Sequence, residues 1–227
     1  MSRYDFHLEA SWLASGDHQR FMWDTHWGGD FDLVDYVAGR FGFLADYQAV
    51  LGNEFRPFDP NQGNYTLEFS ASGRLGRTEL VGVFHHVSRH LSDRPKEISI
   101  AMNVAELRVL RRFEVKGLTV DLKAEAGHIL QQAYVDYDWT GNVDLTARRR
   151  INSTMSGYGR VVGEFYTIDK ERSDRDAQRG GRLEAGIRLR GPGGALDLFA
   201  GWERVIDADP FDRQPRSWPF AGFRLVN

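Results

Sequence analysis

Cysteine is absent from the chain, so neither disulfides nor thiolate metal centres contribute to its stability or chemistry. No apolar run approaches the roughly 20 residues that a spanning helix requires. No secretory leader precedes the patterned sequence: Met1-Ser2-Arg3 runs straight into it, which for an exported protein corresponds to a mature form with an added start codon. Glycine-rich phosphate loops and dinucleotide fingerprints are missing. The single basic run, Arg148-Arg149-Arg150, sits at a turn and gives no argument for nucleic acid as a partner. With 41% hydrophobic residues, 27% charged residues and a net charge of −3, bulk composition describes an ordinary soluble domain. A transmembrane barrel has the same composition, because only half of its strand residues face lipid.

What is present is a period of two. Leu118, Val120, Leu122, Ala124 and Ala126 alternate without a miss against Thr119, Asp121, Lys123 and Glu125. That is a strand with one apolar and one charged face. Tyr4, Phe6, Leu8, Ala10 and Trp12 alternate in the same way with Asp5, His7, Glu9 and Ser11, and Leu183, Ala185, Ile187 and Leu189 oppose Arg182, Glu184, Gly186 and Arg188. Helical spacing is sustained nowhere, and glycine spread through the segments disfavours helix further.

Turn chemistry divides the chain into strands near 4–14, 19–28, 35–51, 64–72, 77–89, 98–111, 117–129, 134–148, 156–168, 181–190, 195–206 and 218–226. Short breaks such as Gly28-Gly29-Asp30, Glu114-Val115-Lys116-Gly117 and Gly191-Pro192-Gly193-Gly194 alternate with breaks that are mostly longer and more polar, such as 52–64, 90–97, 169–180 and 207–217. The reading is all-β: a transmembrane antiparallel up-and-down barrel of about twelve strands, filling 1–227 as a single domain, with short periplasmic turns and longer outer loops.

Alternation alone does not say which face points inward, since a soluble barrel with an apolar interior has the same pattern. Strand lengths suit a wall crossing a hydrocarbon layer, which takes about 9 to 11 tilted residues. Trp23, Trp27, Tyr134, Tyr137, Trp139, Trp202 and Trp218 fall toward strand ends, as in the aromatic girdles of membrane interfaces. The polar face mixes both signs, with Arg20, Asp24, Arg40, Asp46, Glu68, Asp144, Arg148, Arg160 and Glu164 among its members. Turned inward, these side chains pair and fill a lumen. The expectation is therefore a bacterial outer-membrane barrel with a polar, charge-paired lumen, serving a structural or narrow transport role, with membrane lipids as its partners. His7 and His26 read as partners for nearby carboxylates rather than a metal site.

Candidate chemistry is concentrated in Phe84-His85-His86-Val87-Ser88-Arg89-His90-Leu91-Ser92-Asp93. His86 and Ser88, two apart on a strand, share a face, so the imidazole can serve the hydroxyl as a base. His86-Val87-Ser88-Arg89-His90-Leu91-Ser92-Asp93 resembles the His-x-Ser-x-His-Leu-x-Asp stretch of an uncharacterised family of bacterial outer-membrane barrels. That resemblance is close over this stretch and only a matter of pattern elsewhere. His-x-Ser near the outer end of a strand is more distantly similar to the motif of outer-membrane phospholipase A and of the smaller outer-membrane lipid A deacylases. The phospholipase resemblance implies a twelve-stranded barrel, a Ser-His-Asn triad facing lipid, and calcium-dependent lipid hydrolysis as the alternative function. Asn103, in Ile100-Ala101-Met102-Asn103-Val104, is the residue in position to complete that set. The family's Asn-Gly after the serine is Arg89-His90 here. Ile98, Ile100, Met102 and Val104 read as a lipid-facing row, which places Asn103 on the lumen face, opposite to the family's arrangement. Without that alternative no cofactor is expected.

Overall fold

The computed structural model describes residues 4–91 and 98–227. Twelve strands form it: β1 (Tyr4–Leu13), β2 (Trp23–Tyr36), β3 (Gly39–Gly52), β4 (Asp59–Leu75), β5 (Thr78–Leu91), β6 (Ile100–Val115), β7 (Leu118–Ala133), β8 (Tyr137–Arg150), β9 (Met155–Ile168), β10 (Gln178–Gly191), β11 (Gly194–Val205) and β12 (Arg216–Val226). Each pairs antiparallel with its sequence neighbours, and β1 pairs with β12 through His7↔Val226 to Leu13↔Phe220, closing the barrel. Closure removes the sheet edges that lipid could not satisfy. Among the described residues no helix is long and apolar enough to cross a membrane; strands make the wall.

The turn at Lys116-Gly117 places both residues at positive φ (48° and 79°), a hairpin geometry in which glycine carries no steric cost. One expected boundary is wrong. Gly28-Gly29-Asp30 is not a turn but the middle of β2, which continues to Tyr36 before the chain reverses. Gly28 is needed for close approach instead: a Cβ there would meet the Ala45 carbonyl oxygen at 2.3 Å and the Asp46 Cα at 2.8 Å. The neighbouring Gly29 lies under the Tyr4 ring. The loop expected over 52–64 is likewise shorter, because β4 begins at Asp59.

The outer wall carries Tyr65, Leu67, Phe69, Leu107, Val143, Leu145, Val161 and Leu183, all exposed. A continuous apolar surface of this kind is a liability in water and the ordinary condition in lipid. The expected charged face lines the lumen and is paired. Arg108 grips Glu68 through both terminal nitrogens at 2.7 Å and Glu125 through Nε at 2.6 Å. Arg224 donates to Glu9 and Glu184, Arg182 to Glu9, Glu184 and Glu203, Arg188 to Asp197, Arg40 to Asp32 and Glu79, and Arg160 to Asp144. Asp46 accepts contacts from His7 at 2.6 Å and His26 at 2.9 Å, the carboxylate partnership expected of these histidines.

The loop-side third of the lumen is different. The segment after β11 folds over it, and beneath lie two apolar clusters, one around Leu13, Phe21, Phe199, Ala208, Trp218 and Phe220, the other around Val104, Ile129, Tyr137, Ile168 and Ile206. Arg89, buried, donates to the carbonyls of Asp207 and Ala208 and to Gln62 Oε1. Arg175 bridges Asp136 and Asp207. Partial burial alone would lower the Arg175 pKa; the hydrogen bond and charge of Asp207 with the charge of Asp136 outweigh it and raise it, so this clasp stays ionised. Trp218 and Tyr137 therefore pack inside the barrel beneath the lid and not in the interfacial girdle, whereas Trp27, Trp139 and Trp202 are exposed on the outside as expected.

Candidate functional site

On β5 the odd-numbered residues point into the lumen. Val81 and Val83 are buried there, His85 meets Glu106, and Arg89 holds the lid. The even-numbered residues Phe84, His86, Ser88 and His90 consequently share the lipid-facing wall. Register carries this assignment across the sheet, with Leu67↔His86↔Asn103 and Tyr65↔Ser88↔Ala101 directly opposed.

The expected parity of β6 is overturned. Ile100 and Val104 are buried on the lumen side, and Asn103 lies on the outer face with the exposed Leu107. The apolar row misleads because the lumen is itself apolar beneath the lid, so apolarity at this height does not report lipid. His86, Ser88 and Asn103 thus share one outward face, with no irregularity between β5 and β6.

His86 Nδ1 lies 2.7 Å from Asn103 Oδ1. A carboxamide oxygen only accepts, so the ring donates through Nδ1, and the neutral tautomer with that proton has Nε2 as its acceptor. Asn103 Nδ2 donates onward to Gln131 Oε1 at 3.0 Å, extending the chain of polar groups over β5, β6 and β7. Gln131 reaches this face through a bulge: Asn103 pairs with Gln131 but Val104 with Ile129, leaving Leu130 extra on β7. Ser88 Oγ is engaged by His90 Nε2 at 2.8 Å rather than by His86. His90 was legible as a third member of the same row; Gln131 had no local signal, because only the bulge sets its direction.

The site lies at the level of an aromatic row. Trp27, Tyr47, Tyr65 and His90 contact one another in sequence at centroid distances of 5.6, 4.8 and 5.4 Å. Such rows mark the membrane interface, where a lipid's ester region meets its acyl chains. Around Ser88 the described neighbours Tyr65, Ala101 and His90 offer no carboxylate, and among the described residues no cluster of three metal-ligating side chains occurs. Ser92 and Asp93, the end of the motif, lie outside the described residues.

No family model and no curated protein matches the chain. Solved structures do. It is similar to the outer membrane phospholipase A from Escherichia coli (TM-score 0.57, 9% identity, covering 99% of this chain and 92% of that one). It is similar to the KdgM porin (TM-score 0.53, 6% identity, 97% and 98% covered) and to LpxR from Salmonella typhimurium (TM-score 0.53, 7% identity, 98% and 99% covered). At such identities the likeness establishes the fold. With its lipid-facing wall, the chain is an integral outer-membrane β-barrel.

Proposed function

We propose that this barrel is a lipid hydrolase that cleaves an acyl ester at the loop-side interface of the outer membrane, with Ser88 as nucleophile, His86 as base and Asn103 as the residue that positions the imidazole. The observation that carries the reading is the 2.7 Å His86–Asn103 hydrogen bond on the lipid-facing wall, with Ser88 in the same row. Imidazole, carboxamide and hydroxyl groups turned toward lipid are costly, and ionisable groups kept in such places mark function by default. The lid after β11 does not account for them: among the described residues, the contacts that tie this strand to it come from Arg89, on the opposite face.

The division of labour follows from the tautomer. His86 Nε2 takes the Ser88 proton as Oγ adds to the ester carbonyl carbon, and returns it to the departing alkoxide. Water, deprotonated by the same nitrogen, then releases the acyl group from Ser88. Ser88 must first turn from His90 toward His86, a rotation about its own χ1. Calcium dependence, implied by the phospholipase resemblance, is carried into the assay as a variable and supplies no step here.

Purified protein in mixed micelles should hydrolyse phospholipid or lipid A esters, assayed with and without calcium. Ser88→Ala should remove the activity and His86→Ala should lower it by about 10² to 10⁴. Both should leave folded stability within about 0.5 kcal/mol. Absence of hydrolysis under both calcium conditions, or full activity in Ser88→Ala, refutes the reading. Solute transport gains no support from a lumen filled by ion pairs and closed by a lid.

A further inference from the structure

The turn-side mouth of the lumen breaks the rule that governs its middle. In the middle of the barrel the inward guanidiniums are matched by carboxylates at least as numerous: Arg108 has Glu68 and Glu125, and Arg182 and Arg224 share Glu9, Glu184 and Glu203. At the mouth Arg112 and Arg148 must share the single carboxylate of Asp121. Arg150 donates Nε only to the Asn152 carbonyl, and among the described residues no carboxylate lies within ion-pair distance of Arg150 or Arg190. Of the other acids, Glu114 lines the same cavity and accepts the Thr119 hydroxyl at 2.9 Å, while Glu79 and Asp144 face the adjoining one. These four arginines line one cavity of about 340 Å³, which continues through Arg112 into a second of about 440 Å³.

We infer that this mouth is a binding site for a compact, multiply charged phosphate-class anion. Guanidinium forks match phosphate oxygens bidentately, and several forks converging on one cavity favour an ion with more than one charge to share among them. The hydroxyl of Ser153 adds a neutral donor to the lining, while that of Thr154 donates to Asn152 Oδ1. Because the lumen above is filled with ion pairs and capped, the cavity is blind, suited to retention rather than passage. Phosphate chemistry reaches it either as a soluble periplasmic solute or as an inner-leaflet headgroup arching over the turns. The inference stands independently of the hydrolase reading.

Pyrophosphate titrated into the detergent-solubilised full chain at low ionic strength should bind saturably, and added salt should weaken it. An Arg150→Gln, Arg190→Gln double variant, which disturbs no ion pair, should bind on the order of tenfold more weakly or worse. Arg204→Gln should bind like the parent, since Arg204 stands at the opposite, loop-side end of β11, where its Nε donates to the Arg179 carbonyl. Retention of pyrophosphate binding in phosphatidylglycerol nanodiscs identifies a soluble anion as occupant. Its loss there, but not in phosphatidylcholine nanodiscs, identifies the headgroup. Absence of saturable binding, or equal weakening by Arg204→Gln, overturns the site.

Discussion

Leu107 and Arg108 are neighbours in β6 on opposite sides of the wall, and exchanging their chemistry in turn tests the whole inside-out assignment. Leu107 stands near the middle of Ile100–Val115, 59% exposed on the outer face. Leu107→Arg puts a cation near the bilayer midplane, a cost of about 2–4 kcal/mol that fades toward the interfaces. Arg108→Leu strands Glu68 and Glu125, whose side chains are only 9% and 11% exposed, with Lys123 left as partner to Glu125 alone. Breaking a buried network from one side costs about 3–5 kcal/mol. Each substitution installs the residue type that its neighbour already carries, so intrinsic strand propensity cannot produce both losses. Equilibrium urea unfolding in lipid vesicles should show both variants destabilised by these amounts. A barrel whose outside faced water would tolerate Leu107→Arg within about 0.5 kcal/mol, and that result would refute the assignment.

Three further outcomes are expected. His90→Ala should retain ester hydrolysis better than His86→Ala, because His86 alone has an orienting partner; the reverse order would transfer the role of base to His90. In planar bilayers the protein should show no stepwise conductance, and steady channel openings would contradict the filled lumen. Gly28→Val should destabilise the barrel by about 1–3 kcal/mol through overpacking, since its Cβ position falls against the Ala45 and Asp46 backbone; an unchanged unfolding midpoint would refute that contact.

The barrel was legible wherever a strand is apolar on one side and charged on the other. β7 and β1 are such strands, and their alternation divides the residues between the two faces. Legibility failed where the lumen departs from that contrast. Under the lid Ile100, Val104 and Ile129 are as apolar as anything facing lipid, so the β6 pattern reads backwards there. Trp218 looks interfacial by composition, yet its indole donates to Glu203 inside the barrel. Gly28-Gly29 looks like a turn because a glycine required for close approach between strands carries the same letter as one required for chain reversal. For the site, His86, Ser88 and Asn103 could be named from the motif, but the face they share depends on the β5–β6 register, a relation between strands that no local window contains.

The lumen pairs also bear on the order in which the barrel can assemble. Glu9 of β1 accepts from Arg224 of β12 at 2.6 Å and from Arg182 of β10 at 2.9 Å, contacts spanning 215 and 173 residues of chain. Neither can form while the sheet is an open ribbon. Each waits for the first strand to meet the last, when nearly the whole loop-closure cost has already been met. Until then Arg224 and Arg182 hold only Glu184 and Glu203 within the β10–β12 sheet, and Glu9 lacks both arginines along the very seam that must close. Once β1 and β12 zip together, those same charges lose their water and gain one another. The electrostatic interior thus acts as a latch on ring closure, sealing a finished barrel more strongly than it guides an unfinished one.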